Sequence, residues 1–294
     1  MRIGVTGASG LLGSQLVKAL RRDGHHVVCI GRGTDADVRW NVAEGELDAA
    51  ACRGIDAFVH LAGANVGQRW TAAHRRAIRD SRTLGTALIA RTAAALAPRP
   101  AVLVCASAVG VYGDAGDAVC DEDAPTGHDF LAEVVRDWES SADAARAAGI
   151  RTVHLRFGVI LSRHGGALGK LLPIFRLGAG GRVGDGQQWM SWLSVDDAVD
   201  IVRFAIATAA LSGAVNATAP SPVTNAEFTT TLARVVHRPA LFPVPARALK
   251  LMFGEMAEAT LLASQRVVPR RLQEAGYVYR HATLERALHA VVNA

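Results

Sequence analysis

Apolar residues come in short blocks along this chain, and the period of the blocks changes in a regular order. Arg2 to Thr6 is a compact, mostly apolar run and reads as a strand. Leu12, Leu16, Ala19 and Leu20 then recur at helical spacing, and Gly24 closes that helix. His26 to Ile30 is a second strand, and Ala57 to Leu61 is a later one. A long helical pattern covers about Thr71 to Leu96 and stops before Pro98. Ala101 to Ala106 is the next strand. Phe130 to Ala148 is helical up to Gly149, and Thr152 to Phe157 is again a strand. This alternation predicts an α/β fold with a parallel sheet covered by helices on both faces.

After about Gly158 the texture changes. Gly165-Gly166, Gly178 to Gly186 and Pro220 to Pro222 punctuate shorter elements. Arg247 to Leu262 is mostly helical, and Leu284 to Val292 forms a final amphipathic helix. A smaller C-terminal lobe is predicted there, on the substrate side.

The junction of the first strand and helix carries the chemistry. It reads Thr6-Gly7-Ala8-Ser9-Gly10-Leu11-Leu12-Gly13. A strand that breaks into glycines and re-enters as a helix presents bare backbone N–H groups, where a pyrophosphate can sit. Gly7 permits the tight turn, Gly10 lets phosphates approach, and Gly13 lets helix and strand pack closely. Thr6, Gly7, Ser9, Gly10, Leu11, Leu12 and Gly13 are therefore candidate dinucleotide-binding residues. The competing reading is a tight turn without a ligand. An acid at the tip of strand two would bond the ribose hydroxyls of NAD. Here the tip reads Ile30-Gly31-Arg32-Gly33, with no acid. Arg32 offers a planar cation for a 2′-phosphate, so NADP(H) is expected over NAD; the alternative is an exposed loop residue. Leu61, Ala62 and Gly63, which end a later strand, would let the cofactor lie against bare backbone, and Ala106 completes the set. The expected organisation is a doubly wound, Rossmann-type NADP-binding domain over 1–160, with segments from about 185–220 returning to it. The substrate lobe and helical extension span 161–294.

Composition narrows the class. The chain has 294 residues, half of them apolar, which supports a sizeable core. No apolar run reaches the roughly 18 residues of a membrane span. A strand begins at once, without a secretory leader, so a cytoplasmic protein is expected. Cys29, Cys52, Cys105 and Cys120 are scattered, with Cys29 and Cys105 in predicted buried strands. They read as buried free thiols, with neither metal nor disulfide. The formal charge is +5, but the arginines are dispersed, which favours solvated faces over a nucleic-acid patch. A basic balance also suits an anionic cofactor or substrate. The expected partner is a small-molecule substrate, with no nucleic acid and no membrane; a homodimer is compatible with this reading.

Further strings carry a family resemblance. They are Leu61-Ala62-Gly63-Ala64-Asn65, Ala106-Ser107-Ala108-Val109-Gly110, Asp129-Phe130-Leu131-Ala132-Glu133 with Trp138-Glu139, and Gln187-Gln188-Trp189-Met190-Ser191-Trp192. Pro245 to Gly254-Glu255-Met256 and Pro269 to Gly276-Tyr277 follow in the C-terminal extension. With the glycine turn, the chain resembles the extended short-chain dehydrogenase/reductases. More narrowly, it is similar to the atypical branch labelled "epimerase family protein". The resemblance covers nearly the whole chain and implies a Rossmann-type fold and NADP binding. It does not imply a defined reaction.

The usual enzyme of this class pairs tyrosine and lysine one helical turn apart, with a serine polarising the substrate oxygen. This chain cannot build that pair. Its tyrosines are Tyr112, Tyr277 and Tyr279, and none is followed four residues later by lysine. The slots fall on Phe130 or Leu131 and on Val134 or Val135, all apolar. Ser107 stands near the usual serine position, its register to Tyr112 one residue longer than in sugar epimerases. It either polarises substrate or satisfies nearby backbone. Tyr112 either donates a proton or packs beside the nicotinamide. Glu133 is an acid candidate or a loop partner. Lys170 binds an anionic substrate, supplies a proton, or lies on the surface. Arg82 touches cofactor phosphate or sits on the helix surface. Asp129 reads first as an N-cap. Trp189, Met190 and Trp192 form an expected apolar substrate wall, or core between lobes. Met190 stands where nucleotide-sugar enzymes of the class place a diphosphate-gripping arginine.

The preferred functional reading is therefore an NADP(H)-dependent oxidoreductase acting on a small carbonyl, enone or imine-like substrate. A non-catalytic NADP(H)-sensing or scaffold protein is the second reading. A nucleotide-sugar epimerase or dehydratase is the third.

Overall fold

The computed structural model describes residues 1–293. Its centre is an eight-stranded sheet. In chain order the first half contains β1 (Arg2–Thr6), α1 (Leu11–Arg22), β2 (His26–Gly31), β3 (Val38–Asn41), β4 (Glu46–Leu47), β5 (Ala57–His60), α2 (Ala72–Ala95), β6 (Val102–Ala108), β7 (Val119–Cys120), α3 (Phe130–Ser140), α4 (Asp143–Ala147) and β8 (Arg151–Phe157). The second half contains β9 (Val159–Leu161), α5 (Gly166–Arg176), β10 (Trp189–Met190), β11 (Trp192–Ser194), α6 (Val195–Ala207), β12 (Gly213–Ala217), β13 (Val223–Thr224), α7 (Asn225–Val235), α8 (Ala246–Phe253), β14 (Arg266–Val267), α9 (Arg270–Glu274) and α10 (Leu284–Asn293).

The sheet order is β12-β8-β6-β5-β1-β2-β3-β4. Its pairings are parallel except β3 with β4. This is a doubly wound, Rossmann-type α/β fold. Alternating strand residues feed two cores. Val5, Val59, Val104 and Leu155 pack under α1 and α6 on one face. Phe58, Leu103 and Cys105 pack against α2 and α4 on the other. Both faces are covered, so the strands read as near-continuous apolar runs. A third core joins α5, α7, α10 and the β9–β11 pair around the fully buried Trp192.

The helices start where their side chains dictate. Thr71 caps α2 by accepting the His74 N–H at 3.1 Å, and Asp129 caps α3 by accepting the Ala132 N–H at 2.9 Å. Thr224 and Glu227 close a reciprocal capping box on α7. Several expected bounds shift. The helix expected over Phe130 to Ala148 breaks at Ser141 and Ala142, where Ser141 turns its hydroxyl back to the Asp137 carbonyl. The Arg247 to Leu262 stretch divides at Gly254, whose φ of +58° an L side chain rarely adopts. The β3–β4 hairpin was not legible, since four- and two-residue strands carry too little periodicity. Cys52, Cys105 and Cys120 are buried, but Cys29 is only half-buried. Among the described residues no helix is long and apolar enough to cross a membrane.

Candidate functional site: a dinucleotide cradle and a closed polar network

The cradle lies at the carboxyl ends of β1, β2 and β5. Gly7 has φ of +68°, and a side chain there would strike the Leu61 and Ala62 backbone at 2.8–2.9 Å. The Gly10 N–H donates to the Gly7 carbonyl at 2.9 Å, closing the turn. A Cβ on Gly13 would lie 2.1 Å from the Gly7 oxygen, so α1 starts in direct contact with the turn. The first helical bond runs from the Ser14 N–H to Gly10, and α1 has no side-chain cap and no acid in its first turn. The N–H groups of Leu11, Leu12 and Gly13 thus find no protein acceptor among the described residues. Free N–H groups at a helix N-terminus attract an anion. Leu12 contributes only its backbone here, because its side chain is in the core. Ser9 is exposed at the turn, and Leu11 reaches across to the start of α5 near Gly165 and Gly166.

Thr6 works differently from the expectation of cofactor contact. It is fully buried, and its hydroxyl accepts from the Leu61 N–H at 3.1 Å and the Ala62 N–H at 3.4 Å. Its own proton goes to His60 Nδ1 at 2.7 Å. Thr6 therefore holds the β5 turn in place instead of facing the cradle. Behind Gly63, Arg82 donates to the Ala64 carbonyl at 3.1 Å and lies 5.0 Å from the Trp138 ring centre. It makes no ion pair among the described residues, and burial lowers its pKa to about 10. A half-buried cation without a carboxylate favours an anionic neighbour. Arg32 is exposed at the tip of β2, and Ala106 is half-buried near the end of β6.

Two of the four expected catalytic side chains, Ser107 and Tyr112, enter a closed network. Alternation along β6 turns Ser107 towards α3, and its hydroxyl donates to Glu139 at 2.7 Å. Glu139 also takes two bonds from Arg156 on β8, at 2.8 and 2.9 Å. Arg156 donates in turn to the Tyr112 hydroxyl at 3.0 Å, and Tyr112 donates to Asn216 on β12 at 2.7 Å. Ser107 and Tyr112 are each 3% exposed. Burial pushes the Tyr112 phenol up to about 12, against the charge of Arg156. Burial also pushes Glu139 up, but the bonds and charge of Arg156, with Ser107, outweigh it and hold the carboxyl below its ordinary value. The other tyrosine hydroxyls are engaged too, Tyr277 on Asp197 and Tyr279 on the Thr218 carbonyl. The proton-donating Tyr-Lys slot is filled by apolar Phe130, Val134 and Val135, each buried in α3.

Glu133 lies on the outer side of α3, its side chain 52% exposed and 3.4 Å from Arg79. Lys170 is exposed on α5, and its ammonium stands 3.8 Å from where a side chain on Gly67 would begin. It has no protein hydrogen bond or ion pair among the described residues. Of the three residues expected to form a substrate wall or a core between lobes, Trp192 is core, while Trp189 and Met190 are half-buried. Trp192 is fully enclosed and donates to the Ser221 carbonyl, so it offers no surface to a substrate. Trp189 is pinned by Asp117 at 2.9 Å and by Arg266 over its ring at 4.3 Å. Met190 packs at the lobe core beside Asn225. The start of α2 and the C-terminal extension are bridged where Arg69 donates to the Leu251 carbonyl at 3.2 Å and Arg75 pairs with Glu255.

A family model described as the NAD dependent epimerase/dehydratase family matches residues 3–217. The chain belongs to that family. A second model, a domain of unknown function (DUF1731), matches residues 244–291 of this family member. The epimerase family protein Mb2239 of Mycobacterium bovis is 43% identical over 290 residues, covering 97% of this chain and 96% of that protein. The human epimerase family protein SDR39U1 (isoform2), crystallised with NADPH, is 33% identical with a TM-score of 0.91, covering 100% of this chain and 99% of that one. The UDP-glucose 4-epimerase of Thermus thermophilus, in complex with NAD, has a TM-score of 0.77 at 19% identity, covering 100% and 98%; that likeness shows the fold alone.

This epimerase-family chain also buries two histidines that its sequence did not single out. His60 donates nothing to an oxygen: its Nδ1 accepts from Thr6, and its Nε2 has no partner. His154 Nε2 faces the Arg146 guanidinium at 3.1 Å, and its Nδ1 has no partner. Burial lowers both pKa values to about 4, with Glu139 partly opposing it at His154. The folded values lie below the unfolded value of about 6.5. Stability is therefore complete above pH ~6.5 and is lost as pH falls towards 4, because only the unfolded chain takes up the protons. Each histidine contributes up to about 1.4 kcal/mol per pH unit in that window. His60→Asn should flatten the fall of unfolding free energy between pH 6 and 4.5, read by urea titration. An unaltered slope would show that His60 is not held neutral.

Proposed function

We propose that this chain binds NADP(H) and transfers a hydride to or from a small carbonyl, enone or imine-like substrate. The observation that carries the binding half is the cradle. Gly13 touches the Gly7 carbonyl, three N–H groups point from the start of α1 without acceptors, and Arg82 stands behind the loop without a carboxylate. These residues would hold the pyrophosphate, and Arg32 would meet the 2′-phosphate. The human relative crystallised with NADPH supports the same reading. NADPH, when bound, supplies the hydride. The chain's part is to bind, orient and exclude water around it.

Proton supply must come from outside the usual tyrosine–lysine pair, which this chain lacks. Ser107 and Tyr112 already bond within the network, and Glu133 pairs with Arg79. Lys170 alone of the four expected catalytic side chains has no protein partner among the described residues, so we assign it the substrate-side cation. Lys170→Met should leave NADPH affinity unchanged and lower turnover at least tenfold; equal turnover in the variant would remove Lys170 from the mechanism.

The closed network gives the sensor reading its specific support, because no tyrosine hydroxyl is free to pass a proton. Fluorescence titration with NADPH and NADH, followed by a turnover screen, separates the readings. NADPH binding with oxidation of cofactor by carbonyls, enones or imines supports the reductase. Binding without turnover, sugar nucleotides included, supports the sensor. Tighter NADH than NADPH would overturn the assignment of Arg32.

A further inference from the structure

We propose that Arg39 is a second cation for the cofactor's 2′-phosphate, acting beside Arg32. The inference rests on the NADP(H) reading above and extends it to a residue outside the glycine turn.

The placement comes from sheet register. β3 runs parallel to the end of β2, with Ile30 opposite Val38 and Gly31 opposite Arg39. Registered neighbours in a sheet project to the same face. Val38 and Trp40 are buried, while Arg39 between them is exposed. Arg39 thus leaves the sheet on the Gly31 side, at the tip of β2, directly before Arg32. That face also carries β1, α1 and the glycine turn. Arg32 and Arg39 line one open surface depression of about 600 Å³, together with Trp40, Asn41 and the hairpin residues Gly45 to Asp48.

Three nearby carboxylates accept hydrogen bonds from neutral donors, and none is ion-paired with either arginine among the described residues. Asp37 accepts the Cys29 N–H at 2.7 Å, and Asp48 accepts the Ala50 N–H at 2.8 Å. Asp35 accepts from the Thr34 hydroxyl at 3.3 Å. Glu46, in register with Asn41 on the hairpin, and Asp48 line the same depression as the two arginines. Neither the Arg32 nor the Arg39 guanidinium forms an ion pair or hydrogen bond within the protein among the described residues. Two unpaired guanidinium groups in one depression fit a dianion, and forked donors suit phosphate oxygens. A ribose hydroxyl cannot use that charge, so the pair would discriminate NADP from NAD.

Calorimetry on the full-length protein tests this with 2′,5′-ADP and 5′-AMP. The wild type should prefer 2′,5′-ADP. Arg39→Gln should weaken 2′,5′-ADP about tenfold, leave 5′-AMP unchanged and reduce the salt dependence of 2′,5′-ADP binding. Arg39→Lys, which keeps the charge and loses the fork, should fall between. If Arg32→Gln weakens 2′,5′-ADP and Arg39→Gln does not, Arg39 has no such role and the Arg32 reading stands. Equal weakening of both ligands by Arg39→Gln would also overturn the proposal. A wild type without preference for 2′,5′-ADP would instead overturn the NADP(H) reading itself.

Discussion

Glu139→Ala is expected to destabilise the protein by about 3–5 kcal/mol, because it leaves a buried guanidinium without its partner. The Arg156 side chain is 8% exposed and that of Glu139 16%. Removing the carboxylate takes three bonds away at once, two from Arg156 and one from Ser107. Arg156 then keeps only the Tyr112 hydroxyl. A loss on this scale lowers the midpoint in urea with little change in slope. The double replacement Glu139→Met with Arg156→Met should recover much of it, since apolar groups of similar volume can replace a buried pair. A single-variant cost under about 1 kcal/mol, the range of exposed ion pairs, would show that the pair is solvated and weak. Ser107→Ala is a smaller probe of the same network. It removes one charge-assisted bond but leaves Glu139 doubly held by Arg156.

Gly13→Ala is expected to weaken NADPH at least about 100-fold, or about 2.8 kcal/mol. The added carbon would lie 2.1 Å from the Gly7 oxygen and 2.8 Å from its carbonyl carbon. Both are backbone atoms, so no flexible chain end can move aside. The turn or the start of α1 must shift, at a strain of about 1–3 kcal/mol. Either movement displaces the free N–H groups of Leu11, Leu12 and Gly13 that we assign to the pyrophosphate. Fluorescence titration reads the affinity, and thermal unfolding of the variant without ligand separates strain from lost contacts. Wild-type affinity in Gly13→Ala would sink the cradle assignment. Gly10→Ala is a milder control, because its Cβ would meet the Gly7 oxygen at 3.2 Å.

The two variants divide along what can be read from a chain. Gly7, Gly10 and Gly13 act within a few residues of one another. Their requirement for bare backbone is therefore local, and the sequence alone located the glycine turn, Arg32 at the tip of β2 and the Asp129 cap. It also excluded the tyrosine–lysine pair, since an absent residue cannot be supplied by folding. Arg156 carried a readable signal, a full charge inside the strand Thr152 to Phe157, which implies a buried partner. The identity of that partner was not readable. Glu139 and Ser107 are 32 residues apart, and Tyr112 and Asn216 are 104 apart. Only the docking of α3 on β6 and the arrival of β12 beside β8 bring them together. A one-residue register along β6 then decided that Ser107 faces α3 and not the cradle. Trp192 shows the same division. Its aromatic character was plain in the sequence, but whether it walls a substrate or fills a core depended on α7 and α10 closing over it. Short-range periodicity and glycine sterics determine where a cofactor can rest. Which polar side chains remain free to act on a substrate is set by long-range pairing, because burial obliges each charge and hydroxyl to find a partner first.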